Sequence, residues 1–105
     1  MFIAQNKFQV NEGFESHFEA HNPQTGVGSV PGFLFTARLK GDEKGVYINL
    51  SIWQDRAAFD AWVGSDAFKA AHANAPGEGA LAGHPEGTFT EVLWAEGSIV
   101  APATA

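Results

Sequence analysis

The stretch Val46-Tyr47-Ile48-Asn49-Leu50-Ser51-Ile52-Trp53-Gln54-Asp55-Arg56-Ala57-Ala58-Phe59-Asp60-Ala61-Trp62 decides the fold, because its apolar period changes within it. As far as Trp53 the residues alternate: Val46, Ile48, Leu50 and Ile52 fall on one face, and Tyr47, Asn49, Ser51 and Trp53 on the other. That is the period of a strand. From Asp55 the spacing becomes helical, with Phe59, Trp62 and Val63 on one side and Asp55 offering a short acceptor side chain as cap. Gly64 interrupts this helix, and Ser65 caps a second, on which Phe68 and His72 lie one turn apart.

Upstream, Gly41-Asp42-Glu43-Lys44-Gly45 reads as a hairpin connection to a strand from Phe33 to Lys40. Phe33, Phe35, Ala37 and Leu39 are expected on one face of that strand. The N-terminal segment from Phe2 to Val10 also alternates, with Phe2, Ala4, Phe8 and Val10 on one face and Gln5, Lys7 and Gln9 on the other. Asn6 is a lone amide in the apolar register. Asn11 is expected to cap a helix carrying Phe14, His17, Phe18 and His21 at i, i+3, i+4 and i+7, which Asn22-Pro23 ends. A Gly-rich connection then runs to Pro31-Gly32. Residues 74–87 hold four Gly and two Pro and read as a loop, followed by a last strand from Thr88 to Glu96. The order is β-α-β-β-α(α)-β, which predicts an α+β, ferredoxin-like antiparallel sheet with helices on one face. One domain over residues 1–98 is expected, with a frayed Ala/Pro tail over 99–105.

Composition narrows the function. The 105 residues are 45% hydrophobic and 17% charged, as in a globular protein. Nine Phe and three Trp are a heavy aromatic load for so small a domain, and they suggest a dimer interface or a lined pocket. The net charge of −6 leaves no basic footprint for nucleic acid or anionic membrane. Without Cys the chain has no disulfide, no thiolate nucleophile and no cysteine-held iron–sulfur cluster. Neither a signal-peptide pattern nor an apolar run of spanning length is visible, so the sequence reads as a soluble, cytoplasmic protein.

The segment from Trp53 to Trp62, followed by Ser65-Asp66-Ala67-Phe68-Lys69-Ala70-Ala71-His72, resembles a pattern of the antibiotic-biosynthesis-monooxygenase (ABM) superfamily. In that pattern a strand ends in Trp, one helix carries Phe and Trp, and the next closes on Ala-His. Ala4-Gln5-Asn6-Lys7-Phe8 is similar to the family strand with an inward Asn, and Pro31-Gly32-Phe33 to the turn into strand two. The combination of Asn, Trp and His resembles the IsdG-type heme-degrading branch in particular. The resemblance implies a homodimer, a dimeric α/β barrel, and oxidative cleavage of heme with iron release. Heme would be both substrate and cofactor, with dioxygen and an external electron donor, such as a reductase, as co-reactants. It further implies that His72 ligates the heme iron, that Asn6 hydrogen-bonds on the distal side, and that Trp62 presses on the porphyrin, with Phe68 in the same pocket. Two other readings stand beside it: a cofactor-independent monooxygenase of polyphenolic aromatics, and a heme-binding module without turnover. Two features depart from the pattern. No Lys or Arg follows Lys69 to meet a propionate, and the connection from Asn22 to Val30 is unusually Gly-rich.

Each candidate residue also has a plain structural reading. His72 suits a helix C-terminus as a cation. Asn6, in an apolar register, requires a partner, whether backbone, water or a ligand oxygen. Trp62 shares a face with Phe59 and serves a core as well as a pocket wall. The i, i+4 spacing of His17 and His21 is one that could clamp a metal, with no third ligand in view, and His84 in the late loop reads as solvated or as a late-arriving ligand or proton donor.

Overall fold

The structure, a computed structural model, describes residues 1–20, 26–71 and 80–97. Among these, the elements run β1 (Phe2–Gln9), α1 (Glu15–Ala20), β2 (Phe33–Lys40), β3 (Val46–Trp53), α2 (Arg56–Val63), α3 (Asp66–Ala71) and β4 (Glu86–Glu91). A short 3-10 turn, Val27–Ser29, precedes β2. The four strands form one antiparallel sheet in the order β2-β3-β1-β4. This is the ferredoxin-like α+β architecture expected from the sequence.

The register shows which side chains meet the helices. Phe2 pairs with Trp53, Ala4 with Ser51, Asn6 with Asn49 and Phe8 with Tyr47, and directly opposed residues share a face of the sheet. The helix side of β3 is therefore Tyr47, Asn49, Ser51 and Trp53, with Trp53 at 0% and Tyr47 at 2% exposure. The aliphatic set Val46, Ile48, Leu50 and Ile52 faces away. The expectation for β2 needs correcting. Phe33 pairs with Trp53 but Phe35 with Ile52, so a bulge at Leu34 breaks the alternation. Phe33 thereby turns to the helix side and meets Trp53 edge-on at 5.4 Å. Phe35, Ala37 and Leu39 join the aliphatic face.

The caps at α2 and α3 agree with the sequence. Asp55 Oδ1 accepts the Ala58 N–H at 2.8 Å, and Gly64 donates back to the Asp60 carbonyl at 3.0 Å. Ser65 Oγ accepts the Phe68 N–H at 3.1 Å and donates to the Trp62 carbonyl at 2.6 Å, tying the end of α2 to the start of α3. Helix α1 starts later than expected, at Glu15. The Asn11 carbonyl instead accepts the Phe14 N–H at 3.1 Å, in a turn where Gly13 takes φ 95°. A left-handed residue there takes the chain off the helical path until Phe14. Strand β4 is also displaced from its expected span, Thr88 to Glu96, and ends at Glu91 because β1 ends opposite it. Glu91 pairs with Phe2, and the Met1 carbonyl takes the Val92 N–H at 2.8 Å. Beyond it Leu93 and Trp94 are 95% and 76% exposed. The expected tail and residues 74–79 of the loop over 74–87 lie outside the described residues. No helix among the described residues is long and apolar enough to cross a membrane.

Two apolar clusters cover the helix side of the sheet. One joins Phe2, Ala4, Trp53 and Trp62 beneath α2 and α3, with Phe33, Phe59 and Phe68 packed against it. The other joins Val10, Phe18 and Tyr47 beneath α1. The Tyr47 hydroxyl ties α1 to the sheet by donating to Glu19 Oε2 at 2.7 Å. This hydrogen bond pushes the Tyr47 pKa up to about 12, and together with Lys40 it lowers that of Glu19. A raised folded pKa gives stability that is complete below the unfolded value near 10 and is lost as pH rises toward about 12. A lowered folded pKa gives stability that is present above the unfolded value of 4.5 and is lost as pH falls below it. The melting temperature of wild type relative to Tyr47→Phe should therefore fall at both ends of the pH range. A difference independent of pH would contradict this account of the pair.

Candidate active site

Between the two clusters the helix side of the sheet turns polar. A row crosses the sheet from Gly87 on β4 through Asn6 on β1 and Asn49 on β3 to Arg38 on β2. Over Asn6 and Asn49 of this row and the neighbouring Ala4, Ser51 and Thr36 lies a cavity of about 400 Å³. Its other walls are Phe59, Trp62 and Val63 of α2, Phe68 of α3, Phe89 of β4 and Val27. The volume is that of an ordinary small-molecule site, and the composition is typical of one: mostly apolar walls with a few polar groups. No charged side chain lines it among the described residues.

Asn6 shares the face of Phe2, Ala4, Phe8 and Val10, as its position in the register predicts. It is nevertheless exposed and opens into the cavity. The desolvation argument made for a buried amide is thus relieved by the cavity itself. Trp62 is both a core residue and a wall of the cavity. It is 6% exposed, stacks on Trp53 at 6.5 Å and 28°, and meets Phe68 edge-on at 5.7 Å, while one side lines the cavity. Its position follows from local chemistry: the Asp55 cap starts α2 in the right phase, and Ser65 fixes the corner that brings Phe68 against it. Phe68 lines the same cavity.

His72 lies outside the described residues. The residue before it, Ala71, packs against the cluster that contains Trp62. His84 is exposed. His21, half of the possible metal pair with His17, also lies outside the described residues. Among those described, no three His, Cys, Asp or Glu side chains are grouped to hold a metal ion.

Asn49 of this floor and its partner Arg38 were missed in the sequence. Arg38 Nε donates to Asn49 Oδ1 at 2.8 Å and Nη1 to the Phe18 carbonyl at 3.0 Å, with the guanidinium 4.3 Å from the centre of the Phe18 ring. Burial lowers the Arg38 pKa, but a guanidinium stays charged at any physiological pH. The signal that would have found Asn49 is its own alternating set: Tyr47 and Trp53 flank it as the bulkiest residues of β3. An aromatic-flanked face is a core face, and Asn49 interrupts it as Asn6 interrupts its own.

The sequence profile of the antibiotic biosynthesis monooxygenase family matches residues 1–74. The heme oxygenase (staphylobilin-producing) 1 of Staphylococcus aureus strain Newman is 30% identical over 76 residues, covering 68% of this chain and 70% of that protein. Among solved structures, the heme-degrader MhuD of Mycobacterium tuberculosis, with two hemes bound in its active site, is 27% identical with a TM-score of 0.72. That match covers 92% of this chain and all, 100%, of MhuD. SnoaB, a cofactor-independent oxygenase from Streptomyces nogalater, shares the fold at 20% identity and a TM-score of 0.65, over 90% of this chain and 94% of its own. An antiparallel sheet with helices on one side is the ferredoxin-like scaffold that these solved structures share with this chain. This chain belongs to the antibiotic biosynthesis monooxygenase family and is a monooxygenase.

Proposed function

We propose that this monooxygenase cleaves heme and releases its iron, with heme as the substrate. The observation that carries this reading is that Asn6, Trp62 and Phe68 line one cavity. The relatives that are heme oxygenases and heme degraders support it. An uncharged, aromatic-walled space suits a planar apolar macrocycle. Trp62 and Phe68 meet edge-on and are braced by Ser65, so they form a wall that resists displacement by a ring pressed against it. When bound, heme supplies the iron at which dioxygen is reduced with electrons from an external donor. His72, the residue after Ala71, would ligate the iron, since neutral imidazole is a normal partner of heme iron. Asn6 presents an amide N–H from the sheet side, where it stabilises negative charge that develops on oxygen.

Titration of the protein with ferric heme should give a Soret band distinct from that of free heme. His72→Ala should abolish or shift that band and should cost stability on the order of 1 kcal/mol or less. An unchanged spectrum and affinity in His72→Ala would move the ligand elsewhere, with His84 next. A polar floor of Asn6, Asn49, Ser51 and Thr36 favours a second reading: a polyphenolic aromatic turned over without a cofactor. Absence of a Soret band in the wild type would select it over heme.

The same reading includes a homodimer. The sheet face away from the helices carries Ile3, Phe35, Ala37, Leu39, Ile48 and Leu50, with Leu39 42% exposed. Pairing two such faces across a two-fold axis removes this apolar surface from water. Light scattering at micromolar concentration should give twice the 11.2 kDa chain mass. A mass of one chain would refute the pairing.

A further inference from the structure

We propose that Asn49, oriented by Arg38, is a second hydrogen-bond donor beside Asn6 to a small anionic or oxygen ligand held over the cavity floor. The inference rests on the heme reading above and adds to it a residue beyond Asn6, Trp62 and His72. Asn6 and Asn49 are directly opposed in the β1–β3 register, so their side chains leave the same face of the sheet. Cβ atoms of such pairs lie about 5 Å apart, close enough for two amides to converge on one acceptor. Both side chains line the cavity.

Arg38 removes the ambiguity in how Asn49 is turned. A guanidinium has donors only, so the atom that meets Arg38 Nε at 2.8 Å must be the amide oxygen. The Nδ2 end, with two N–H donors, is left for the cavity and has no hydrogen-bond partner among the described residues. Arg38 is in turn fixed, on the Phe18 carbonyl at 3.0 Å and over the Phe18 ring. Reorienting Asn49 would break a charge-assisted bond in a half-buried place, which makes the amide a preset donor. A donor already aimed at a charge costs no reorganisation when that charge arrives.

Asn49→Asp tests this closely, because it keeps an acceptor for Arg38 and exchanges the N–H donors for an acceptor. The ferric heme complexes of wild type, Asn49→Asp and Asn49→Leu are titrated with azide and followed by the Soret shift. The ferrous complexes are loaded with carbon monoxide and the C–O stretch is read in the infrared. Azide affinity should fall about 10- to 100-fold in both variants, the range for one hydrogen bond to a charged partner. The C–O stretch should rise in Asn49→Leu, and Arg38→Met should broaden or split it by releasing the amide to more than one orientation. Asn49→Asp should melt close to wild type, and it provides the test even where Asn49→Leu does not fold. Heme spectra like the wild type with unchanged azide affinity and C–O stretch would overturn the role of Asn49 and leave the heme reading standing. A wild type without any Soret band would overturn both.

Discussion

Asn6→Ala should leave heme affinity close to the wild-type value and slow its turnover by roughly 10- to 1000-fold, the range for loss of one positioned donor to a developing anion. Affinity survives in this account because the macrocycle is held by the His72 bond and by contact with Trp62 and Phe68, none of which involves Asn6. Stability should change little, because Asn6 is exposed to the cavity and is not packed in the core. The comparison is the decay of the Soret band under reductant in air, at equal bound heme, for folded wild type and variant. Equal decay rates would refute the catalytic role of Asn6. A fall in melting temperature with unchanged turnover per folded molecule would make the residue structural.

Trp53→Ala should destabilise the protein by about 3–5 kcal/mol, as expected for loss of a buried Trp. Trp53 has no exposed surface and touches the rings of Phe33, Phe59 and Trp62, and its Nε1 donates to Ser51 Oγ at 2.9 Å. The substitution removes the layer that joins both central strands to α2. Against a total stability of about 5–15 kcal/mol for a small domain, such a loss leaves little reserve. Urea unfolding measures it directly. A loss under about 1 kcal/mol would mean that Trp62 and Phe59 collapse into the space, contrary to the packing described.

The fold was legible wherever one local rule operated alone. Alternation marked β1 and β3, and Asp55 and Ser65 marked the starts of α2 and α3, because a cap or a pleat depends on near neighbours. The misreadings arose where a distant partner decided the outcome. The bulge at Leu34 follows from how β2 must meet Trp53 and Ile52 of β3, and nothing within β2 announces it. Strand β4 ends at Glu91 because its pairing with β1 stops at Phe2, which makes Leu93 and Trp94 poor guides to its length. At the site, Asn6 stood out as one amide in an apolar register. Asn49 did not, because the aliphatic alternation Val46, Ile48, Leu50, Ile52 drew the eye to the wrong face. Only the pairing of Phe2 with Trp53 shows that the aromatic set meets the helices. Arg38 was invisible for the same reason: its partners, Asn49 and the Phe18 carbonyl, come from two other elements.

The most direct test of heme cleavage is the fate of the iron. The ferric heme complex is placed in air with ascorbate, with catalase to remove free peroxide and a ferrous chelator to report release. The account predicts that the Soret band decays while chelated iron rises toward one equivalent per heme, and that His72→Ala and Asn6→Ala both slow this. A Soret band that persists, or that decays no faster than free heme under the same conditions, would contradict it.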